Sequence, residues 1–76
     1  MNFNSVMRKL DQFCTIRDNA GNYMACSRVD QSRCVRVIQN GRSAVAFPIV
    51  LESDGSERVA FHAKTIKSLI EFLKGA

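Results

Sequence analysis

RCVRVIQNGRSAVAFPIVLE, residues 33–52, is the stretch that decides the fold. Two runs rich in β-branched and aromatic residues flank Asn40-Gly41, a pattern typical of a β-hairpin. A type I′ turn needs a positive φ at both central residues, which Asn and Gly tolerate. Pro48 has no backbone N–H, so the second strand is predicted to be an edge strand or to contain a bulge.

The neighbouring runs extend this hairpin into a meander. Strands are predicted over 13–18 and 22–29, around the turn-forming DNAGN, and over 57–62 after the turn SDGS. The register of the next turn is open: a two-residue Gln31-Ser32 loop would set Asp30 opposite Arg33, a favourable cross-strand pair, whereas an Asp30-Gln31 loop would set Arg28 opposite Arg33, which repels. The first register is preferred. Side chains of one parity in each of the last two strands are expected to face the core; these are Val45, Phe47, Ile49 and Leu51, then Val59 and Phe61.

A helix is predicted at each end of the chain. Asn4 or Ser5 can cap a helix over about 4–12, and Thr65 can cap a second one that ends near Gly75. Both carry an apolar stripe at three- and four-residue steps; the stripe residues are Phe3, Val6, Met7, Leu10 and Phe13, then Ile66, Leu69, Ile70 and Leu73. The prediction is one α+β domain over 1–76: a short N-terminal helix, an antiparallel meander of about four to five strands, and a C-terminal amphipathic helix packed on one sheet face.

Charge favours an anionic partner. Eleven Lys and Arg stand against seven Asp and Glu in 76 residues, for a formal net charge of +4 and a pI near 9.4. The longest apolar run covers 44–51, far short of the roughly 20 residues that span a bilayer, so no membrane association is expected.

The sequence has three cysteines, and no two of them form a CxxC motif; they are Cys14, Cys26 and Cys34. An odd count without a secretory signal predicts a reducing, cytoplasmic location. The favoured interpretation is that they are small apolar fillers of the strands. Three cysteines with His62 are a permissible zinc set, but the missing short spacing argues against it, so no cofactor is expected. His62 has no catalytic partner at a suggestive spacing, and no P-loop, GxGxxG or HExxH motif is present, so a non-enzymatic protein is predicted.

The strand region is rich in arginine. If Val35 and Val37 face the core, Arg36 points to solvent. The guanidinium fork suits phosphate, and an exposed aromatic ring can stack on an unpaired base. The candidate residues for nucleic-acid or anion binding are Arg28, Arg33, Arg36, Arg42, Arg58 and Tyr23.

Two alternatives remain open for this face. In the first, the arginines, Arg17 among them, are solvated, hinder edge-to-edge aggregation and pair weakly with carboxylates; the candidate partners are Asp18, Asp30, Glu52 and Glu57. In the second, they form a protein interface.

The element order of residues 23–74, which ends at VAFHAKTIKSLIEFL, resembles that of the small single-stranded-DNA-binding domains of the transcriptional-coactivator and Whirly type. The resemblance is one of order alone and implies a curved meander, a following helix and a dimer.

Two functions follow as hypotheses. The first is binding of single-stranded DNA or RNA through a basic sheet face. The second is a protein-binding inhibitor or adaptor that meets an acidic protein surface, of the kind that phages and mobile elements use against host complexes. A homodimer is compatible with either.

Overall fold

The computed structural model describes residues 1–75 and confirms the α+β class. Helix α1 (Phe3–Asp11) precedes five strands, and helix α2 (Ile66–Leu73) follows them. The five antiparallel strands form one open sheet in chain order, with every neighbour in sequence also a neighbour in space. Their bounds are β1 (Cys14–Asn19), β2 (Asn22–Ser27), β3 (Arg33–Asn40), β4 (Ser43–Leu51) and β5 (Glu57–Val59).

Each helix begins at a side-chain cap. Asn2 accepts from the Ser5 N–H at 3.0 Å, so α1 begins earlier than the predicted caps at Asn4 or Ser5 would place it. Thr65 accepts from the Ser68 N–H at 3.1 Å, as predicted. Both caps satisfy backbone donors that have no partner inside the first helical turn.

Two hairpin turns differ in type. Ala20 and Gly21 both have positive φ, 51° and 85°, and lie between the paired residues Asn19 and Asn22, as in a type I′ turn. In the second hairpin Asn40 pairs with Ser43, so the central residues are Gly41 and Arg42. The predicted type I′ turn centred on Asn40-Gly41 is therefore wrong: of the two central residues, only Gly41 has a positive φ, as in type II′.

Both helices pack on one face of the sheet and enclose the core. The residues of this core are Val6, Leu10, Cys14, Ala25, Val35, Val37, Ala44, Ala46, Leu69, Phe72 and Leu73. Register places Ala46 opposite Val37 and Pro48 opposite Val35, so the small residues of β4 face the helices. Small side chains there leave room for the leucine and phenylalanine side chains of α2.

The predicted core parity of β4 is therefore wrong. Val45, Phe47, Ile49 and Leu51 lie on the other face, which we call the open face. Val45 is 50% exposed there, whereas Ile49 is buried as predicted, at 4%. Val59 and Phe61 are also exposed, at 57% and 40%. Val59 pairs with Ile49 and therefore lies on the open face, whereas Phe61 lies beyond β5, which ends at Val59 instead of continuing to residue 62. Residues 44–51 are apolar at every position, so alternation gave no signal for which parity faces inward.

Pro48 lies in β4, which has β3 on one side and β5 on the other and an unbroken register with β3, so the predicted edge strand or bulge is wrong. The two-residue turn makes the Val35–Pro48 pair a non-hydrogen-bonded one, so the proline nitrogen points away from β3. The pairing of β5 with β4 begins only at Ile49, and the Pro48 carbonyl accepts from the Ala60 N–H at 2.8 Å. The missing proline N–H therefore costs no hydrogen bond to β3.

Candidate functional site

The arginines predicted to form one basic face are distributed over both faces and both ends of the sheet. Arg36 projects from the open face, whereas Arg33 and Arg58 share the helix-bearing face through their register with β4. Arg28 lies in the loop after β2, and Arg42 lies in the turn at the opposite end of β3. The structure does not bring these side chains together.

Three of the predicted arginines form ion pairs. Arg36 Nη2 lies 2.7 Å from Glu57 Oε1, and Arg58 Nε lies 2.6 Å from Glu52 Oε1. Arg33 Nε lies 3.4 Å from Asp30 Oδ2 across the turn centred on Gln31-Ser32. Asp30 thus meets Arg33 as predicted, but it does so from the loop, because β2 ends at Ser27. These pairs are partly exposed and contribute about 0–1 kcal/mol each.

Arg28 and Tyr23 also have internal partners. Arg28 donates to the carbonyl oxygens of Gln12 and Asp11 at 3.3 and 3.2 Å, where the carboxyl end of α1 presents partial negative charge. Tyr23 lies on the helix-bearing face, with its ring centroid 5.2 Å from that of Phe3, and its hydroxyl donates to Gln39 Oε1 at 3.4 Å. The ring predicted to stack on a base is therefore half-buried against α1.

A feature that the sequence did not predict is a groove between the two helices, which we call the α1–α2 groove. Its volume is about 580 Å³. Apolar side chains line it, contributed by Phe13, Ile66 and Ile70, all of them half-buried. These side chains remain partly accessible although they border the core, so an apolar surface of a ligand can pack against them.

Exposed cations surround this apolar floor. Arg8 and Lys9 reach it from α1, and Lys67 and Lys74 reach it from α2 and its C-terminal cap. Glu71 is the one carboxylate among the described residues that line the groove. The local charge is therefore strongly positive, and a negatively charged partner is favoured.

Lys74 has a defined position at this rim. Its Nζ lies 5.2 Å from the centroid of the Phe13 ring, a cation–π contact. The ammonium group therefore covers the one aromatic ring of the groove floor and holds a positive charge over it.

A weak sequence signal existed for these residues. Lys67 and Lys74 are seven positions apart, which places them on one side of a helix, and Arg8 and Lys9 flank the apolar stripe of α1. Nothing in the sequence showed that the two helices pack side by side, because that depends on where each one crosses the sheet.

Within residues 1–75 no group of three His, Cys, Asp or Glu side chains converges on a point that could hold a metal ion. Nor does that part of the chain contain a helix long and apolar enough to cross a membrane. Comparison with protein-family models, with curated proteins and with solved structures returned no match.

Proposed function

We propose that this protein is a non-enzymatic protein-binding module, of the inhibitor or adaptor kind, whose α1–α2 groove receives an acidic amphipathic segment of its partner. The observation that carries the proposal is the composition of the groove: an apolar floor of Phe13, Ile66 and Ile70 within a rim of four cations. An amphipathic helix that lays its apolar side into such a groove presents acidic side chains to the rim.

The distribution of charge supports this location. Within residues 1–75 three ion pairs engage three of the eleven cations, so eight are left outside such pairs. Four of these eight line the groove. Cations outside ion pairs attract a negatively charged partner, which raises the association rate and disfavours basic partners.

The chemistry of the floor favours protein over nucleic acid. Unpaired bases are held by stacking on exposed aromatic rings, and the isoleucine side chains of this floor offer none. The Phe13 ring is already covered by Lys74. Three of the four rim cations are lysines, which lack the planar fork that binds phosphate bidentately.

A defined peptide tests the proposal. The probe is a fluorescently labelled synthetic peptide with leucine at positions i, i+3, i+4 and i+7 and glutamate between them; its control is a shuffled peptide of identical composition. Fluorescence anisotropy at low salt is expected to show tighter binding of the amphipathic peptide. Amide chemical shifts of the ¹⁵N-labelled protein are expected to change around Gln12, Ile66 and Ile70.

Two double variants locate the charge effect. The variant Lys67→Glu with Lys74→Glu reverses the charge at two positions of the rim. It is expected to lower the affinity for the amphipathic peptide on the order of tenfold or more. The control variant Arg17→Glu with Arg42→Glu makes the same change in net charge away from the groove. It is expected to lower the affinity for the amphipathic peptide far less. Circular dichroism verifies that both variants are folded.

Nucleic-acid binding through the sheet arginines stays a prediction and is the competing outcome. The same titration is run with an oligothymidylate of matched label. Tighter binding of the oligonucleotide, with shift changes at the sheet arginines and none in the groove, would overturn the proposal. Equal binding of the amphipathic and shuffled peptides would overturn it as well.

A further inference from the structure

Two thiols meet across the open face of the sheet. Cys26 and Cys34 are directly paired between β2 and β3, and their sulfur atoms are 2.7 Å apart. Because Cys34 turns its backbone groups toward β4, this is a non-hydrogen-bonded pair, in which side chains approach most closely. The sulfur atoms lie within about 0.7 Å of the S–S bond length of ~2.05 Å.

The two cysteines differ in access. Cys34 is fully buried, whereas Cys26 is half-buried and lines a cavity of about 220 Å³ on this face. Arg17 and Gln31 line the same cavity, so a guanidinium group and an amide stand beside the accessible thiol. A small thiol reagent with carboxylate groups could therefore react with the Cys26 sulfur while its carboxylates interact with the Arg17 guanidinium group.

We propose that Cys26 and Cys34 form a reversible dithiol–disulfide site, oxidised by a low-molecular-weight disulfide such as oxidised glutathione. The thiolate of Cys26 attacks one sulfur of the reagent, which breaks its S–S bond, forms a mixed disulfide and releases one glutathione thiolate. That thiolate accepts the proton of Cys34, and the Cys34 thiolate then attacks Cys26 Sγ and displaces the second glutathione. Two cysteine thiols are oxidised, and one glutathione disulfide is reduced to two glutathione thiols.

The protonation of the pair fits this order of events. The Cys34 thiol donates its hydrogen to Cys26 Sγ, so the two sulfur atoms are already in contact before any oxidation. Burial, and after it the hydrogen bond to Cys26, raises the pKa of Cys34 to about 12. Cys34 therefore keeps its proton until Cys26 has reacted, and then acts as the resolving thiol.

The Cys26–Cys34 disulfide would close a covalent loop over residues 26–34, and side chains of this loop contact the end of α2. Ser27 and Arg33 both lie between the two cysteines in the chain, and both donate to carbonyl oxygens at the end of α2, those of Leu73 and Phe72. Oxidation would fix the loop that carries these two donors. The site is separate from the α1–α2 groove and does not depend on the function proposed for it.

Cysteine mapping of the reduced 76-residue chain tests the proposal. The protein is incubated with oxidised glutathione at about pH 8, near the usual thiol pKa, then denatured, alkylated, digested and analysed by mass spectrometry. The expected product is a monomer with a Cys26–Cys34 disulfide and an alkylated Cys14, and dithiothreitol is expected to reverse it. Cys14 is the internal control, because it is buried on the opposite face, at the position paired with Ser27.

Two single variants separate the roles. Cys34→Ser is expected to stop at a glutathione adduct on Cys26, and Cys26→Ser is expected to remain unmodified. An unreactive Cys26, a glutathione adduct that persists on the wild-type chain, or disulfides between chains would each overturn the proposal. The wild-type result decides the matter even where a variant fails to fold.

Discussion

Arg33 holds the carboxyl end of α2 from the neighbouring sheet. Its Nη1 donates to the Phe72 carbonyl oxygen at 3.0 Å, and its guanidinium carbon lies 5.1 Å from the centroid of the Phe72 ring. Helix α2 has no basic residue in its own last turn. A strand residue therefore supplies the positive charge that the negative end of the helix dipole favours.

Replacing Arg33 with lysine should destabilise the protein although the charge is retained. Lysine lacks the planar fork that bonds the carbonyl while it stacks on Phe72, so the free energy of unfolding is expected to fall by about 1–2 kcal/mol. Urea unfolding followed by circular dichroism measures the loss. Arg17→Lys is the matched control on the exposed strand β1 and should be neutral; equal effects at both positions would contradict the assigned role of Arg33.

Ser27 makes the second contact with the end of α2. It is 1% exposed, its hydroxyl donates to the Leu73 carbonyl oxygen at 2.8 Å, and it accepts from the Val29 and Asp30 N–H groups at 3.3 Å. Ser27→Ala leaves the Leu73 carbonyl oxygen without this donor in a buried place, so a loss of about 1–3 kcal/mol in the free energy of unfolding is expected.

An exposed serine provides the comparison for Ser27. Ser56→Ala removes a hydroxyl that bonds only the neighbouring Asp54 carboxylate at 2.6 Å in solvent. Its denaturant midpoint is expected to shift by far less than that of Ser27→Ala. A Ser27 variant as stable as the Ser56 variant would show that the buried hydroxyl does not hold the helix.

The left-handed residue in the first hairpin turn can be improved. Ala20 has φ 51°, a region that costs a residue with an ordinary Cβ about 1 kcal/mol and that Asn adopts more readily. Ala20→Asn should therefore raise the free energy of unfolding by about 0.5–1 kcal/mol. Asn at Ala63, which lies outside the positive-φ region, should give no such gain. A destabilised Ala20→Asn variant would contradict the turn geometry.

Local chemistry explains which parts of the fold were predictable. The cap at Thr65 and the DNAGN turn depend on residues that are close in sequence, and the structure confirms both. The inward parity of β4 depends instead on its register with β3 and on the packing of α2, because residues 44–51 are apolar on both sides. Periodicity carries no information where the pattern does not alternate.

The candidate site was less predictable for a related reason. Ion pairs such as Arg36–Glu57 join residues 21 positions apart, and only the sheet register shows that this arginine already has a carboxylate beside it. The α1–α2 groove joins Arg8 and Lys9 with Lys67 and Lys74, from opposite ends of the chain. The contact between the two helices depends on tertiary packing, which the pattern of neither helix shows.

Alkaline pH should destabilise the protein through its buried thiols. Burial, and then the charge of Cys26, raises the pKa of Cys14 from its usual 9.0 to about 11. Below pH 9.0 the thiol is neutral in both states, so its contribution is constant. Between pH 9.0 and about 11 the unfolded chain ionises while the native chain does not, so the free energy of unfolding must fall as pH rises.

The variant Cys14→Ala isolates this effect. Its stability at neutral pH is expected to be lower, because a buried side chain is truncated, but its decline above pH 9.0 should be shallower than that of the wild type. Between pH 9.0 and about 11, the free energy of unfolding of the wild type should fall further than that of the variant, by at most on the order of 3 kcal/mol. Cys34, whose pKa is raised to about 12, retains its own share of the decline in both proteins. Urea unfolding at a series of pH values under reducing conditions measures the two curves, and parallel curves would show that Cys14 ionises as readily in the folded protein as in the unfolded chain.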